Sequence, residues 1–232
     1  MRLISLALSL ILSGCMAPTL HEISDARQRS EARIALGVGY LEKGNMLKAR
    51  ENLEQAIEHA PNYYRAQLAL AHYYEQVGEL NSAEHFYNLA FKLHPKNGNV
   101  LNNYGTFLCK QGHYARADQY FNQAIAQPYY YLSSASYENA ALCALKNQQT
   151  AQAIRYFKRA LDYDPDRPRS LLTLAKLEIE AGSFNDARLR LLKFQQRYGL
   201  QKPSLRLLVE LERKAGNPML ERQYKQKLEN MS

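Results

Sequence analysis

Six turn residues, Gly44, Gly78, Gly112, Gln148, Gly182 and Gly216, stand at a nearly constant interval. The interval is about 34 residues, the size expected of a stack of similar supersecondary units, and it leaves few other folds open. Only the step from Gly112 to Gln148 is longer than the rest. Five residues after the turn residues come Ala49, Ala83, Ala117, Ala153 and Ala187, and in the last unit Leu220 takes this place four residues after Gly216. Four further on come Leu53, Tyr87, Phe121, Phe157, Leu191 and Tyr224. Pro61, Pro95 and Pro165 close three units, and Pro128 closes the third one residue early. Each unit therefore reads as two helices, A and B, joined by a tight turn. Glycine tolerates the left-handed backbone angles that end helix A. Alanine lets helices cross closely, the large side chain fills the gap to the next unit, and proline stops helix B.

Composition agrees with this reading. The chain is 46% hydrophobic and 22% charged, with only 11 Gly and 8 Pro. That is globular, and it excludes collagen-like, disordered and multi-span membrane classes. Runs of Val, Ile and Thr long enough for strands are missing, so the expectation is mostly helix. The formal net charge is +8. The charges are scattered as mixed pairs, such as Lys158 and Arg159 beside Asp162 and Asp164, and read as a solvated helical surface. That argues against a nucleic-acid partner and leaves an acidic partner open.

The offsets resemble the tetratricopeptide repeat (TPR), which has the same period. The family's small residue near position eight is matched by Gly37, Ala71, Gly105, Ala141 and Ala175. The family's aromatic three residues later is Tyr40 and Tyr74, but Leu108, Ala144 and Glu178 in the later units. The resemblance implies an all-α, right-handed superhelical solenoid of about six helix hairpins. The units are placed at 30–63, 64–97, 98–133, 134–167 and 168–201, followed by a weaker sixth at 202–232. No hairpin of this kind buries its apolar face alone, so stacking is obligatory. Lys227 and Glu229 fall at positions that are small or apolar in the other units, as a solvent-facing cap requires.

Residues 1–14 read as a secretory signal. Arg2 supplies a positive start and Leu3 to Leu12 is almost wholly apolar, too short a run to span a bilayer. Leu12-Ser13-Gly14-Cys15 follows, and it resembles the bacterial lipobox. That resemblance implies cleavage before Cys15 and acylation of its thiol, with residues 15–29 as a lipidated tether. The alternative is an ordinary signal peptide with a coincidental cysteine. Met16, rather than aspartate, follows the cysteine; by the same resemblance this favours the periplasmic face of the outer membrane. The membrane is then reached through the N-terminal lipid.

Two cysteines remain, Cys109 and Cys143, on the A helices of units three and four. They stand at repeat positions twelve and ten, which lie about 200° apart on a helix. One can face the following unit while the other faces the preceding one. Packed axes roughly 8–10 Å apart bring facing backbones within disulfide reach. The expectation is a disulfide in an oxidising compartment; the alternative is two buried thiols. Between the same two units the register slips, around Gln127 to Leu132. Tyr129, Tyr130 and Tyr131 lie there, either plugging a loosened joint or forming an exposed contact patch.

By family analogy the A helices line the concave face of the solenoid. Unit one offers Ile34, Val38 and Leu41, and unit two offers Leu68 and His72. Unit three offers Asn102, Asn103 and Thr106; unit four offers Glu138, Asn139 and Leu142; unit five offers Leu172, Lys176 and Ile179. The first unit is thus an apolar groove and the third a polar one. Asn103 and Asn139 share a repeat position, so an asparagine ladder gripping an extended peptide is one reading. Bracing of the local turns is the other. The six histidines show no paired ligand spacing, and no G-x-S-x-G, Walker loop or CxxC is present. The sequence therefore points to no enzyme, no cofactor, no metal and no small-molecule substrate.

The lipobox, the helix pairs and the two cysteine segments around the tyrosine insertion together resemble the type IV pilus pilotin lipoproteins. That resemblance implies an outer-membrane lipoprotein that binds the pilus secretin subunit and assists its localisation and oligomerisation. It implies that the apolar first-unit groove, here Ile34, Val38 and Leu41, makes the contact. A general periplasmic adaptor for envelope or cell-wall enzymes is the alternative.

Overall fold

The computed structural model describes residues 20–231, which form twelve α-helices and no strand. They are α1 (Leu20–Glu42), α2 (Met46–His59), α3 (Tyr64–Gln76), α4 (Leu80–Leu93), α5 (Gly98–Lys110) and α6 (Tyr114–Ile125). After them come α7 (Ser133–Lys146), α8 (Thr150–Tyr163), α9 (Pro168–Glu180), α10 (Phe184–Tyr198), α11 (Lys202–Lys214) and α12 (Pro218–Glu229). Consecutive helices pair into six antiparallel hairpins, and these stack into a helical-hairpin solenoid. The expected signal peptide, 1–14, and Cys15 lie outside the described residues.

The turns close as the periodic residues require. Gly44, Gly78, Gly112, Gly182 and Gly216 have φ between 74° and 81°, and Gln148 adopts the same left-handed conformation at φ 58°. In each case the next residue's N–H returns to a carbonyl in the last turn of helix A. Asn45 donates to Tyr40 at 2.9 Å and Gln149 to Ala144 at 2.8 Å. Orphan carbonyls at the helix end are satisfied in this way.

The core runs along the stack between the A and B helices. Ala49, Ala83, Ala117, Ala153 and Ala187 are fully buried, as are Leu53, Phe157 and Leu191. Close approach explains the small residues opposite them: a Cβ added to Gly37 would stand 2.6 Å from Leu53 Cγ. The sixth hairpin is one-sided. Leu205, Leu208 and Leu211 of α11 pack against Ala175, Ile179, Ala187 and Leu191, while α12 buries no residue of its own.

Two features depart from the sequence expectation. The segment 15–29, read as a tether, is helical from Leu20, so α1 runs 23 residues. No proline or glycine interrupts the chain between Pro18 and Gly37, and the stretch is anchored. Arg27 lies over the Tyr63 ring, and Ser30 Oγ donates to the Ala56 carbonyl at 2.9 Å. The second departure is the joint between hairpins three and four. Residues 126–132 connect α6 to α7, whereas the other connections between hairpins are shorter, at 60–63, 94–97, 164–167 and 199–201. No described helix is long and apolar enough to cross a membrane.

Candidate functional site

An open groove of about 440 Å³ crosses the A helices of the first three hairpins. Ile34, Leu68, His72 and Asn103, four of the sequence-expected residues, line it. The structure adds Tyr64, Arg65, Asn99 and, from the long joint, Tyr131. Arg65 and Asn99 stand at the second position of units two and three, a position that repeat counting puts on the concave face, whereas Tyr64 falls outside that counting. Tyr131 belongs to the tyrosine run that one reading makes a contact patch.

Ile34 lines the groove while only 8% exposed, and the other expected residues of the first unit serve elsewhere. Val38 is half-buried against the cluster of Ile34, Ala56 and Ala66, and Leu41 packs on the main core. The first unit therefore contributes an edge, not an open apolar trough. Thr106 Oγ1 donates to the Asn102 carbonyl within its own helix at 2.9 Å. Asn102 Oδ1 accepts from Ser136 Oγ at 2.9 Å and from Asn139 Nδ2 at 3.1 Å. These two asparagines lock α5 to α7. Asn103 lines the groove, its Nδ2 donating to the Asn99 carbonyl at 2.8 Å. Asn103 and Asn139 share a repeat position but do not act alike, because Asn139 has Asn102 in front of it.

Glu138, expected on the groove, is buried instead. It accepts from Arg167 at 3.0 and 3.3 Å and from Ser170 Oγ at 2.6 Å. Burial alone would raise its carboxyl, but the hydrogen bonds from Arg167 and Ser170 outweigh that, and it is held below the usual carboxylate range. The groove wall is braced by a second carboxylate. Glu31 of α1 accepts from the Tyr63 hydroxyl and pairs with Arg65 of α3 at 3.0 Å. Burial, followed by the Glu31 hydrogen bond, pushes the Tyr63 hydroxyl up to about 12. It therefore remains a neutral donor at physiological pH.

The joint beside the groove is clamped at three places. Cys109 and Cys143 form a disulfide with a Cα–Cα distance of 5.8 Å. The Asn102–Ser136–Asn139 set is the second clamp. The third is Tyr130, whose ring covers Gly98 so closely that an added Cβ would overlap it. The Tyr130 hydroxyl meets Ser136 Oγ at 3.1 Å. The tyrosine run thus divides. Tyr130 plugs the joint, while Tyr129 and Tyr131 are 101% and 84% exposed.

Chemically, the groove combines aromatic faces (Tyr64, Tyr131), a cation (Arg65), an imidazole and carboxamides. This set can hold an extended polypeptide by stacking and by hydrogen bonds to its backbone. Among the described residues no group of His, Cys, Asp and Glu is arranged to hold a metal ion.

The tetratricopeptide repeat model matches residues 34–98 and 105–168, and related repeat models match 86–119 and 144–196. The chain is 33% identical over 204 residues to the type IV pilus assembly protein PilF of Pseudomonas aeruginosa, covering 86% of this chain and 81% of that one. It is also 38% identical over 139 residues to an uncharacterised protein of Haemophilus influenzae, covering 60% of this chain and 77% of the other. The solved structure of Pseudomonas aeruginosa PilF superposes with a TM-score of 0.76 at 30% identity, over 89% of this chain and 93% of that one. PilW, a type IV pilus biogenesis factor, superposes with a TM-score of 0.74 at 28% identity, over 88% and 93%. A six-hairpin stack with this extent of identity along its length makes the chain a member of the tetratricopeptide-repeat family of type IV pilus proteins represented by PilF and PilW.

Proposed function

We propose that this protein is a pilotin of type IV pilus biogenesis: a scaffold acylated at Cys15 and held on the periplasmic face of the outer membrane. There it binds the pilus secretin subunit and assists its localisation and oligomerisation. Family membership, with PilF-like sequence across 86% of the chain, is the observation that carries this reading. The groove of Leu68, His72, Asn103 and Tyr131 is the proposed contact, with Ile34 at its edge. Capture of unassembled subunits on lipid-anchored scaffolds raises their local concentration at the membrane, and mass action then favours the ring. No catalytic step is needed for this role.

The test uses the deletion strain and the soluble chain from Met16 onward. Deletion is expected to leave the secretin as monomers or as rings in the wrong membrane, and pull-down is expected to recover the secretin. Substituting His72, Asn103 and Tyr131 together by Ala should weaken that capture at least about tenfold, because aromatic anchors dominate such contacts. Normal outer-membrane rings in the deletion strain would refute the reading. Recovery of cell-wall hydrolases in place of the secretin would favour a general adaptor. Palmitate labelling of wild type and Cys15→Ser tests the anchor.

A further inference from the structure

The net positive charge of this protein is confined to one part of the chain. Residues 1–145 carry 12 Lys and Arg against 12 Asp and Glu, so the whole formal excess of +8 falls in residues 146–232. Part of it stands on the outward faces of the B helices. On each, four positions spaced i, i+3, i+4 and i+7 share a face. On α2 they hold Glu51, Glu54, Gln55 and Glu58; on α6 they hold Gln119, Asn122 and Gln123, with Ala126 as the C-cap. On α8 they become Arg155, Lys158, Arg159 and Asp162, all exposed. Asp162 is occupied by Arg159 at 3.3 Å, whereas Arg155 and Lys158 make no ion pair among the described residues.

The next B helix adds a different chemistry. The same face of α10 presents Leu189, Leu192, Lys193 and Gln196, with the leucines 56% and 42% exposed. The two faces are continuous. Lys158 and Lys193 flank one open groove of about 350 Å³ that Leu161, Pro165 and Leu171 also line. Arg159, Lys193 and Lys227 stand at the same position of successive repeats, and so continue the basic row onto α12.

We propose that the α8–α10 face is a peripheral docking surface for a bilayer containing anionic phospholipid. Unpaired cationic groups meet lipid phosphates, and the exposed leucines reach the boundary of the acyl layer. Leu189 and Leu192 are what this face adds to its cations: an apolar contribution beside the electrostatic one. The choice of a membrane over an acidic protein rests on the proposed anchor. Only Met16 to Thr19 separate Cys15 from α1; at about 3.5 Å per residue they hold the body within roughly 20 Å of the acylated end. Hairpins stacked at about 10 Å put α8 some 30 Å farther along. The basic part then touches the bilayer only if the stack lies along the membrane, which leaves the groove of the first three hairpins free to take a partner.

The experiment uses the unlipidated chain from Met16 onward, so its outcome is independent of acylation and of secretin capture. The chain is sedimented with phosphatidylcholine vesicles, either neat or with about one-third phosphatidylglycerol. Partitioning is expected onto the anionic vesicles alone, and it should weaken as salt is raised. Lys158→Gln with Lys193→Gln should lower it by roughly fivefold per residue. Leu189→Ser with Leu192→Ser should remove most of the binding that survives high salt. Lys92→Gln with Lys96→Gln, two exposed positions in the neutral part, should change it by less than about twofold. Absence of binding to anionic vesicles at low salt, equal binding to both kinds of vesicle, or an equal loss in the Lys92/Lys96 control would each overturn the proposal.

Discussion

At the residue scale, buried carboxylates pin successive hairpins together, and their roles are set by partners distant in sequence. Glu212 is fully buried and accepts two hydrogen bonds from Arg188, at 2.8 and 2.9 Å, with a third from Asn217 at 2.7 Å. The Arg188 hydrogen bonds lead in holding its carboxyl below the usual carboxylate range, against the opposing effect of burial. A depressed folded-state pKa stabilises the protein above the unfolded value and loses that contribution as pH falls through the folded one. Glu212→Gln should therefore cost about 2–3 kcal/mol at neutral pH. Urea melts should show the gap to wild type narrowing as pH is lowered from about 5 towards 3. Residues of this kind are the least legible in the sequence. Glu138 falls at a groove position by repeat counting, and nothing local announces that Arg167, in the next hairpin connection, turns it inward. Asn139 falls on the groove by the same counting, but its geometry depends on Asn102 lying across the joint.

At the element scale, the helices and their turns follow from glycine, alanine and proline because those residues act through their own backbone or through one close contact. The start of α1 does not. Residues 20–29 are polar and read as a tether, yet they extend the helix, because Arg27 finds the Tyr63 ring and Ser30 finds a carbonyl of α2. The irregular joint is legible as an insertion, whereas the division of its tyrosines depends on Gly98, where the missing side chain makes room for Tyr130. The disulfide sits on this joint. Replacing Cys109 and Cys143 by Ser should lower stability by about 3–4 kcal/mol for a loop of this length. Limited proteolysis of the reduced or substituted protein should cut first between residues 126 and 132. Unchanged melting and cleavage after reduction would show that the clamp of Asn102, Ser136 and Tyr130 suffices alone.

At the scale of the whole molecule, the stack behaves as a row of units, each stabilised by its neighbours. The period alone makes the fold legible. The candidate groove is legible only in outline, because it is assembled from three hairpins and one loop rather than from a single motif. Removing residues 202–232 should uncover the face of Ala175, Ile179, Ala187 and Leu191. Three buried leucines at roughly 1.5–3 kcal/mol each make that loss on the order of 5 kcal/mol or more. Size-exclusion chromatography should show concentration-dependent association of the truncated chain, and its urea midpoint should fall. The bridge from Cys109 to Cys143 has a mechanical consequence as well. Tension applied between the two ends of the chain passes through the sulfur atoms and bypasses the interval between them. About 110 Å of contour is thereby withheld from any extension. Under such pull the terminal hairpins can be lost while the middle of the stack keeps its length.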